Sequence, residues 1–319
     1  MEKIAILTSG GDAPGMNAVI RAVVRTTIYE GAEIYGVEGG FEGLIDGKVK
    51  RLYVSSVADI IQRGGTILGT SRSERFKTEE GFKKALQVLD VFGINKVIVA
   101  GGDGSLKGAL KLSEAGIDVV GIPLSIDNDL GYTDYTIGFF TAVETVTDAI
   151  SKIRDTTEAH GRANIVEVMG RDCGDIALYA GLAGGAESII VPERKEEIDE
   201  IVKKAILTKN RGKKYHIIIM AEGAGDSHEF AKKFEELTGI ETKVTVLGYI
   251  QRGGNPNIVD KMLASTIGYR AVEEVLKDKA SFAIGFTKGE VSVFDLKEAL
   301  SIKKEFNDDV NKILKTISI

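Results

Sequence analysis

The 319-residue chain has no tryptophan, one cysteine, three histidines and four prolines. Its single thiol, Cys173, rules out an internal disulfide, and no Cys/His group stands at metal-ligand spacing. The histidines, His160, His216 and His228, are too few and too scattered for a histidine metal centre. Long hydrophobic runs are missing as well. The N-terminal MEKIAILTSGG carries an apolar stretch of about five residues, short of a signal-peptide core and of a bilayer span. The chain is therefore expected to be soluble and cytoplasmic. Basic excess is also absent: 41 Lys and Arg against 47 Asp and Glu leave a net charge of −6. That balance disfavours general attraction to nucleic acid or to an anionic membrane, and it points to a small-molecule partner whose phosphates local arginines can still hold.

Glycine is plentiful, 38 residues, and much of it is paired at Gly10-Gly11, Gly39-Gly40, Gly64-Gly65, Gly101-Gly102, Gly184-Gly185 and Gly253-Gly254. Such pairs at element ends let backbone approach a ligand. Short β-branched apolar runs read as strands at 3–7, 33–37, 96–100, 118–123, 163–169, 187–191, 215–220, 244–247 and 282–286. Amphipathic segments at 15–30, 76–91, 104–115, 138–158, 174–183, 195–210, 227–238, 257–277 and 295–300 read as helices. The alternation predicts an α/β fold of parallel sheets covered by helices on both faces, with a weakly marked domain boundary. The carboxyl ends of the most apolar strands then fall at TSGG, AGGDG and PLSIDND, which should gather along one ligand-binding edge.

Each of these loops has a bland and a chemical reading. In TSGGDAPGMNAVIRAVVR (8–25), Pro14 is suited to a helix start and Asp12 or Ser9 to capping it, while the glycines could admit a phosphate to the helix N-terminus. The G-x-x-x-x-G-K-[ST] signature of a P-loop is absent. In AGGDGSLKGA (100–109), Asp103 is either a helix N-cap or a magnesium ligand beside nucleotide phosphates. The loop is similar to the GGDG of NAD kinases and diacylglycerol-type lipid kinases. In PLSIDNDLGYTDYTIG (123–138), an extended backbone would turn Asp127 and Asp129 to the same side, near Asp103. Three such carboxylates would repel unless magnesium or a hydroxyl used them, and one could accept a proton during phosphoryl transfer. Asx turns with solvated carboxylates are the alternative. Arg72, Arg162, Arg171 and Arg252 all lie near glycine-containing turns, where a guanidinium fork suits phosphate, although a single exposed arginine is more often merely solvated.

Taken together, LTSGGDAPGMN, GGDGS, SIDNDLGYTDYTIGFFTA, VEVMGRDCGD, IIVPE and VLGYIQRGGNP resemble, in order and spacing, the bacterial ATP-dependent 6-phosphofructokinase family over essentially the whole chain. The resemblance implies two doubly wound three-layer α/β/α lobes, 1–138 with 251–301 for the nucleotide and 139–250 with 302–319 for the sugar phosphate, with the active site in the cleft between them. It implies transfer of the γ-phosphoryl group of MgATP to the 1-hydroxyl of fructose 6-phosphate, as in glycolysis. Asp127 matches the base, and Asp103 and Asp129 match the carboxylates near magnesium. Gly11, Arg72, Ser73, Gly102, Gly104, Ser105 and Gly108 match the nucleotide side, with Arg171 and Ser125 also at the reacting centre. Gly170, Met169, Glu222, Tyr249 and Arg252 match the sugar side, and Arg162 with Lys243 would come from a neighbouring subunit of a homotetramer. Arg21, Arg25, Asp59, Arg154, Gly185, Glu187, Arg211, Lys213 and Lys214 match an effector site for ADP or phosphoenolpyruvate. There Glu187 would bind magnesium or pair with the cations.

Several positions depart from the family pattern. Leu124 stands where a glycine is usual and would crowd the reacting centre, whereas Ser125 keeps a hydroxyl. Lys243 replaces an arginine, Tyr249 a histidine, and Val54 an arginine. A pyrophosphate-dependent relative would carry Asp at 104 and Lys at 124; Gly104 favours ATP and Leu124 neither donor. A catalytically weak paralogue that senses nucleotide or sugar phosphate is the reading from another class.

Overall fold

The computed structural model describes residues 2–194, 198–277 and 279–318. The first three positions of the helix expected over 195–210 therefore lie outside the described residues. The chain begins with β1 (Lys3–Ser9), α1 (Met16–Tyr29), β2 (Glu33–Val37), α2 (Gly40–Ile45), β3 (Val49–Arg51), α3 (Glu79–Phe92), β4 (Lys96–Gly101), α4 (Asp103–Glu114) and β5 (Asp118–Pro123). There follow α5 (Phe139–His160), β6 (Ala163–Val168), α6 (Asp175–Gly184), β7 (Ser188–Ile190), α7 (Ile198–Asn210), β8 (His216–Ala221), α8 (Ser227–Thr238) and β9 (Thr242–Val246). The last elements are α9 (Ile258–Val275), β10 (Ser281–Thr287), β11 (Glu290–Asp295), α10 (Leu296–Ser301) and α11 (Asp308–Ile317). Two compact units result, Met1–Phe140 with Arg252–Lys304, and Thr141–Gln251 with Glu305–Ile319.

The first unit holds a seven-stranded sheet in the order β11-β10-β5-β4-β1-β2-β3. β10, β5, β4, β1 and β2 run parallel, and the edge strands β11 and β3 are antiparallel to their neighbours. Alternate side chains divide between the two faces. Ala5, Leu7, Val97 and Val99 join Leu44, Leu89, Leu106 and Leu296 from α2, α3, α4 and α10 in one core. The intervening Ile4, Ile6 and Ile98 are equally buried, on the side where α1 and α9 pack. Strand order reverses between β1 and β4, which creates a crevice at their carboxyl ends, the place where open α/β sheets take ligands.

The second unit has a four-stranded, wholly parallel sheet, β7-β8-β6-β9. Its core joins Ile165, Ile218 and Met220 to Ile201 of α7 and Phe234 of α8. Cys173, the single cysteine, is buried. Among the described residues no helix is long and apolar enough to cross a membrane.

Sequence expectation and structure differ at the sheet edges, at one helix start, and in α2 and α11, which are not expected as helices from the sequence. β3 and β11 are not legible as strands because VKR is short and charged and EVSVFD is only half-buried. The helix after TSGGDAPG begins at Met16, with left-handed Gly15 as its cap and no side chain capping it. Neither Ser9 nor Asp12 plays that role, and Pro14 lies in the turn before the helix.

Candidate functional site

Because β1, β4 and β5 are neighbours, their carboxyl-terminal loops converge as expected. At the end of β1, Gly10 turns with φ 90, and a Cβ on Gly11 would lie 2.2 Å from Nη2 of Arg252. Arg252 pairs with Asp12 at 3.1 Å, so the guanidinium rests against the glycine loop. At the end of β4, Ser105 is packed so closely that a Cβ on Gly101 would meet its Oγ at 2.6 Å. Gly102 is the N-cap of α4, and Asp103 is its first helical residue. The N-cap reading of Asp103 is thus corrected: its carboxylate pairs along the helix with Lys107 at 2.7 Å. Nothing lies within 4 Å of a Cβ built on Gly104. Gly108 is required by packing, since a Cβ there would strike Phe41 at 2.7 Å, where Phe41 stacks on Phe76.

Arg72 is exposed and makes no hydrogen bond or ion pair among the described residues, yet its backbone neighbours are fixed. Ser71 O accepts Gly10 N–H at 3.2 Å, and Ser71 Oγ donates to Gly39 O at 2.8 Å. Ser73 donates to Glu42, whose other oxygen accepts Arg75 at 2.5 Å. The Ser73 hydroxyl and the Arg75 guanidinium hold the Glu42 carboxyl below its ordinary range, so Glu42 anchors the loop as an anion. Glu42 was not legible in the sequence; only the fold brings α2 under this segment.

The loop after β5 is not extended. Asn128 adopts φ 54, in the left-handed region, so residues 127 and 129 are not related by a strand's two-residue repeat. Asn128, fully buried, instead clamps the loop: Oδ1 accepts Thr136 N–H at 2.9 Å, and Nδ2 donates to Asp134 O at 3.1 Å. Thr136 Oγ1 donates to Ser125 O at 2.6 Å, and Ser125 Oγ accepts Asp127 N–H at 3.2 Å. Asp127 is held in this bracket with 7% exposure. Leu124 is buried and bridges Ile137, so its side chain joins the interior. Burial, and then the charge of Asp129, raise the Tyr132 phenol well above its ordinary value. Among the described residues no three His, Cys, Asp or Glu side chains converge to hold a metal, which corrects the expectation of a three-carboxylate cluster. Lys107 draws Asp103 along the surface of α4 instead. Hard carboxylate oxygens on adjacent loops still suit magnesium, which commonly takes one or two carboxylates together with phosphate oxygens.

In the second unit, the loop after β6 is tightly made. Arg171 has φ 50 and its N–H bonds to Glu222 Oε1 at 3.1 Å. A Cβ on Gly223 would come within 1.8 Å of Arg171 O. Gly170, at φ 132, accepts Cys173 N–H through its carbonyl, and buried Gln251 ties Met169 N–H to Gly248 O. Met169, Gly170, Arg171 and Glu222 therefore share the carboxyl end of this sheet. Arg162 and Lys243 do not. Arg162 precedes β6, and Lys243 lies beside Asn164 at its amino end. At about 3.3 Å per residue, the main chain at Arg162 stands about 23 Å along the strand from that at Met169. Tyr249, in the turn after β9, is 80% exposed. Between Arg162 and Lys243 stands Glu241, which the sequence reading missed although its ETK spacing to Lys243 puts both on one face.

The effector-type residues divide likewise. Arg21 and Arg25 follow one another at i and i+4 on α1 of the first unit, where Asp59 has φ 53. In the second, Arg154 donates to Gly185 O at 3.0 Å. Buried Glu187 pairs with Lys213 and accepts Ile217 N–H at 2.6 Å. Arg211 and Lys214 are exposed.

Fold and loops define a doubly wound α/β protein with glycine-lined strand ends suited to receiving phosphate groups. A sequence profile described as Phosphofructokinase matches residues 3–275. The chain is 56% identical to the ATP-dependent 6-phosphofructokinase of Finegoldia magna and 58% identical to that of Clostridium tetani, over 100% of both chains in each case. It also superposes on phosphofructokinase from Saccharomyces cerevisiae with a TM-score of 0.90 and 36% identity, covering 100% of this chain and 48% of that one. A pyrophosphate-dependent phosphofructokinase from Marinobacter aquaeolei shares the fold at a TM-score of 0.86, with 20% identity over 99% of this chain and 91% of that one. This chain belongs to the phosphofructokinase family.

Proposed function

We infer that the chain is an ATP-dependent 6-phosphofructokinase, transferring the γ-phosphoryl group of ATP to the 1-hydroxyl of fructose 6-phosphate to give fructose 1,6-bisphosphate and ADP. The observation that carries this reading is buried Asp127, bracketed by Ser125 and Asn128 in the loop after β5, whose strand neighbours β4 and, beyond it, β1 with their glycine loops. Asp127 takes the proton of the sugar hydroxyl. Arg72, with Arg171, stabilises the charge of the transferring group, a contribution of position and electrostatics rather than of covalent chemistry. Gly11, Ser73, Gly102, Asp103, Gly104, Ser105 and Gly108 form the nucleotide side. The open space over Gly104 favours a nucleotide donor over pyrophosphate. Magnesium, taken by Asp103 and Asp129 with nucleotide oxygens, would supply charge neutralisation.

Ser125, Asp129, Met169, Gly170, Glu222, Tyr249 and Arg252 take the sugar phosphate. Arg162 and Lys243 hold its 6-phosphate from a neighbouring subunit. Their separation from Met169 along β6 supports a site completed by a second chain and hence an obligate oligomer, which the family resemblance makes a homotetramer. Arg21, Arg25, Asp59, Arg154, Gly185, Glu187, Arg211, Lys213 and Lys214 form a cytoplasmic enzyme's regulatory site for ADP or phosphoenolpyruvate. The test is Asp127→Ser, expected to lower turnover about 10²–10⁴-fold with nucleotide affinity little changed, because a base acts in the transition state. Wild-type turnover in that variant would remove Asp127 from the mechanism. Assays of ATP against pyrophosphate over several sugar phosphates check donor and acceptor.

A further inference from the structure

At the amino end of the second sheet, Glu241 accepts Arg162 Nε at 2.7 Å with one oxygen and Lys243 Nζ at 3.0 Å with the other. One carboxylate thus bridges both cations that the proposed function gives to the sugar 6-phosphate. The register explains the placement: Glu241 O accepts Ala163 N–H at 2.9 Å, which sets Glu241 directly beside Arg162 where β9 meets β6. We propose that Glu241 is a built-in competing anion, occupying Arg162 and Lys243 until a phosphate displaces it, and that it sets the affinity for the phosphorylated acceptor. The inference rests on the reading of Arg162 and Lys243 as phosphate ligands.

Several features of the site favour competition over mere scaffolding. A carboxylate spanning a guanidinium and an ammonium presents its two oxygens where a phosphate would present two of its own. Within the single chain Glu241 and Lys243 are exposed and Arg162 is half-buried, so the pairing is solvated rather than sealed in a core, and ion pairs of this kind exchange partners at little cost. Hydrogen bonding from Lys243 and then Arg162 also lowers the Glu241 carboxyl below its ordinary value. The carboxylate therefore stays ionised through the neutral range, and the local charge is one positive unit with Glu241 and two without it. A phosphate dianion gains from that extra unit, whereas the chemical step at the other substrate end does not sense it.

The experiment compares steady-state kinetics of the full-length enzyme with those of Glu241→Gln, Glu241→Asp, Arg162→Gln and Lys243→Gln, with inorganic phosphate as a competing probe. Glu241→Gln is expected to lower KM for fructose 6-phosphate by about three- to tenfold and to strengthen inhibition by inorganic phosphate similarly, the effect falling on KM rather than kcat. Glu241→Asp should return KM toward wild type. An unchanged or raised KM in Glu241→Gln, while Arg162→Gln and Lys243→Gln raise it, overturns the competing-anion role alone. Should Arg162→Gln and Lys243→Gln both leave KM unaltered, the assignment of these cations to the 6-phosphate is itself refuted.

Discussion

Replacing Asn128 tests whether the loop carrying Asp127 is held by one side chain. In Asn128→Ala, Thr136 N–H loses its acceptor inside the protein, a cost of about 1–3 kcal/mol for a buried unsatisfied donor. Asp134 O is spared because Lys304 Nζ also reaches it at 3.3 Å. Alanine must also occupy φ 54, which costs a residue with a Cβ about 1–2 kcal/mol and asparagine less. The two effects sum to about 2–5 kcal/mol. Asn128→Gly suffers the orphaned N–H without the backbone strain, so about 1–3 kcal/mol. With no tryptophan to report, circular dichroism through thermal unfolding is the assay. At about 2–4 °C per kcal/mol for units of this size, the alanine variant should melt roughly 4–20 °C below wild type, with the glycine variant in between. Turnover should fall in both. An alanine variant that melts with wild type, or above the glycine variant, would refute the clamp.

Two further outcomes follow from other parts of the chain. Gly223→Ala places a methyl 1.8 Å from Arg171 O and must displace the loop, so turnover should drop at least about tenfold; unaltered kinetics would show that Arg171 needs no fixed carbonyl. Burial, with the charges of Lys213 and Lys204 adding, pushes His216 from 6.5 down to about 3. Between those values the unfolded chain binds a proton that the folded chain refuses, so stability falls as pH falls, by about 1.4 kcal/mol per unit, or roughly 2 kcal/mol by pH 5. His216→Gln should lose that acid slope in urea titrations from pH 7 to 5, and an equal slope in both proteins would refute the assignment.

The parallel strands of both sheets and the glycine-rich loops that end them are legible from the sequence alone. Apolar runs such as KIAIL and KVIVA, and the glycines that follow them, are local signals that need no partner to be read. The resemblance supplied Asp127, Asp103 and Arg72 by position. What the letters left open was the conformation around them: an extended loop is the expectation where left-handed Asn128 turns the chain, and a helix cap or a magnesium ligand are the alternatives for Asp103, whose carboxylate pairs with Lys107. Edge strands β3 and β11 escaped notice because VKR is short and charged and EVSVFD is only half-buried, and half-exposed strands carry a weak pattern. Glu42 under Ser73, Gln251 behind Met169 and Glu241 between two cations all act across long stretches of chain. A side chain's own preferences are written in its neighbours along the sequence, but which carboxylate meets which cation depends on strand register and helix packing, and those are settled only when the whole sheet closes.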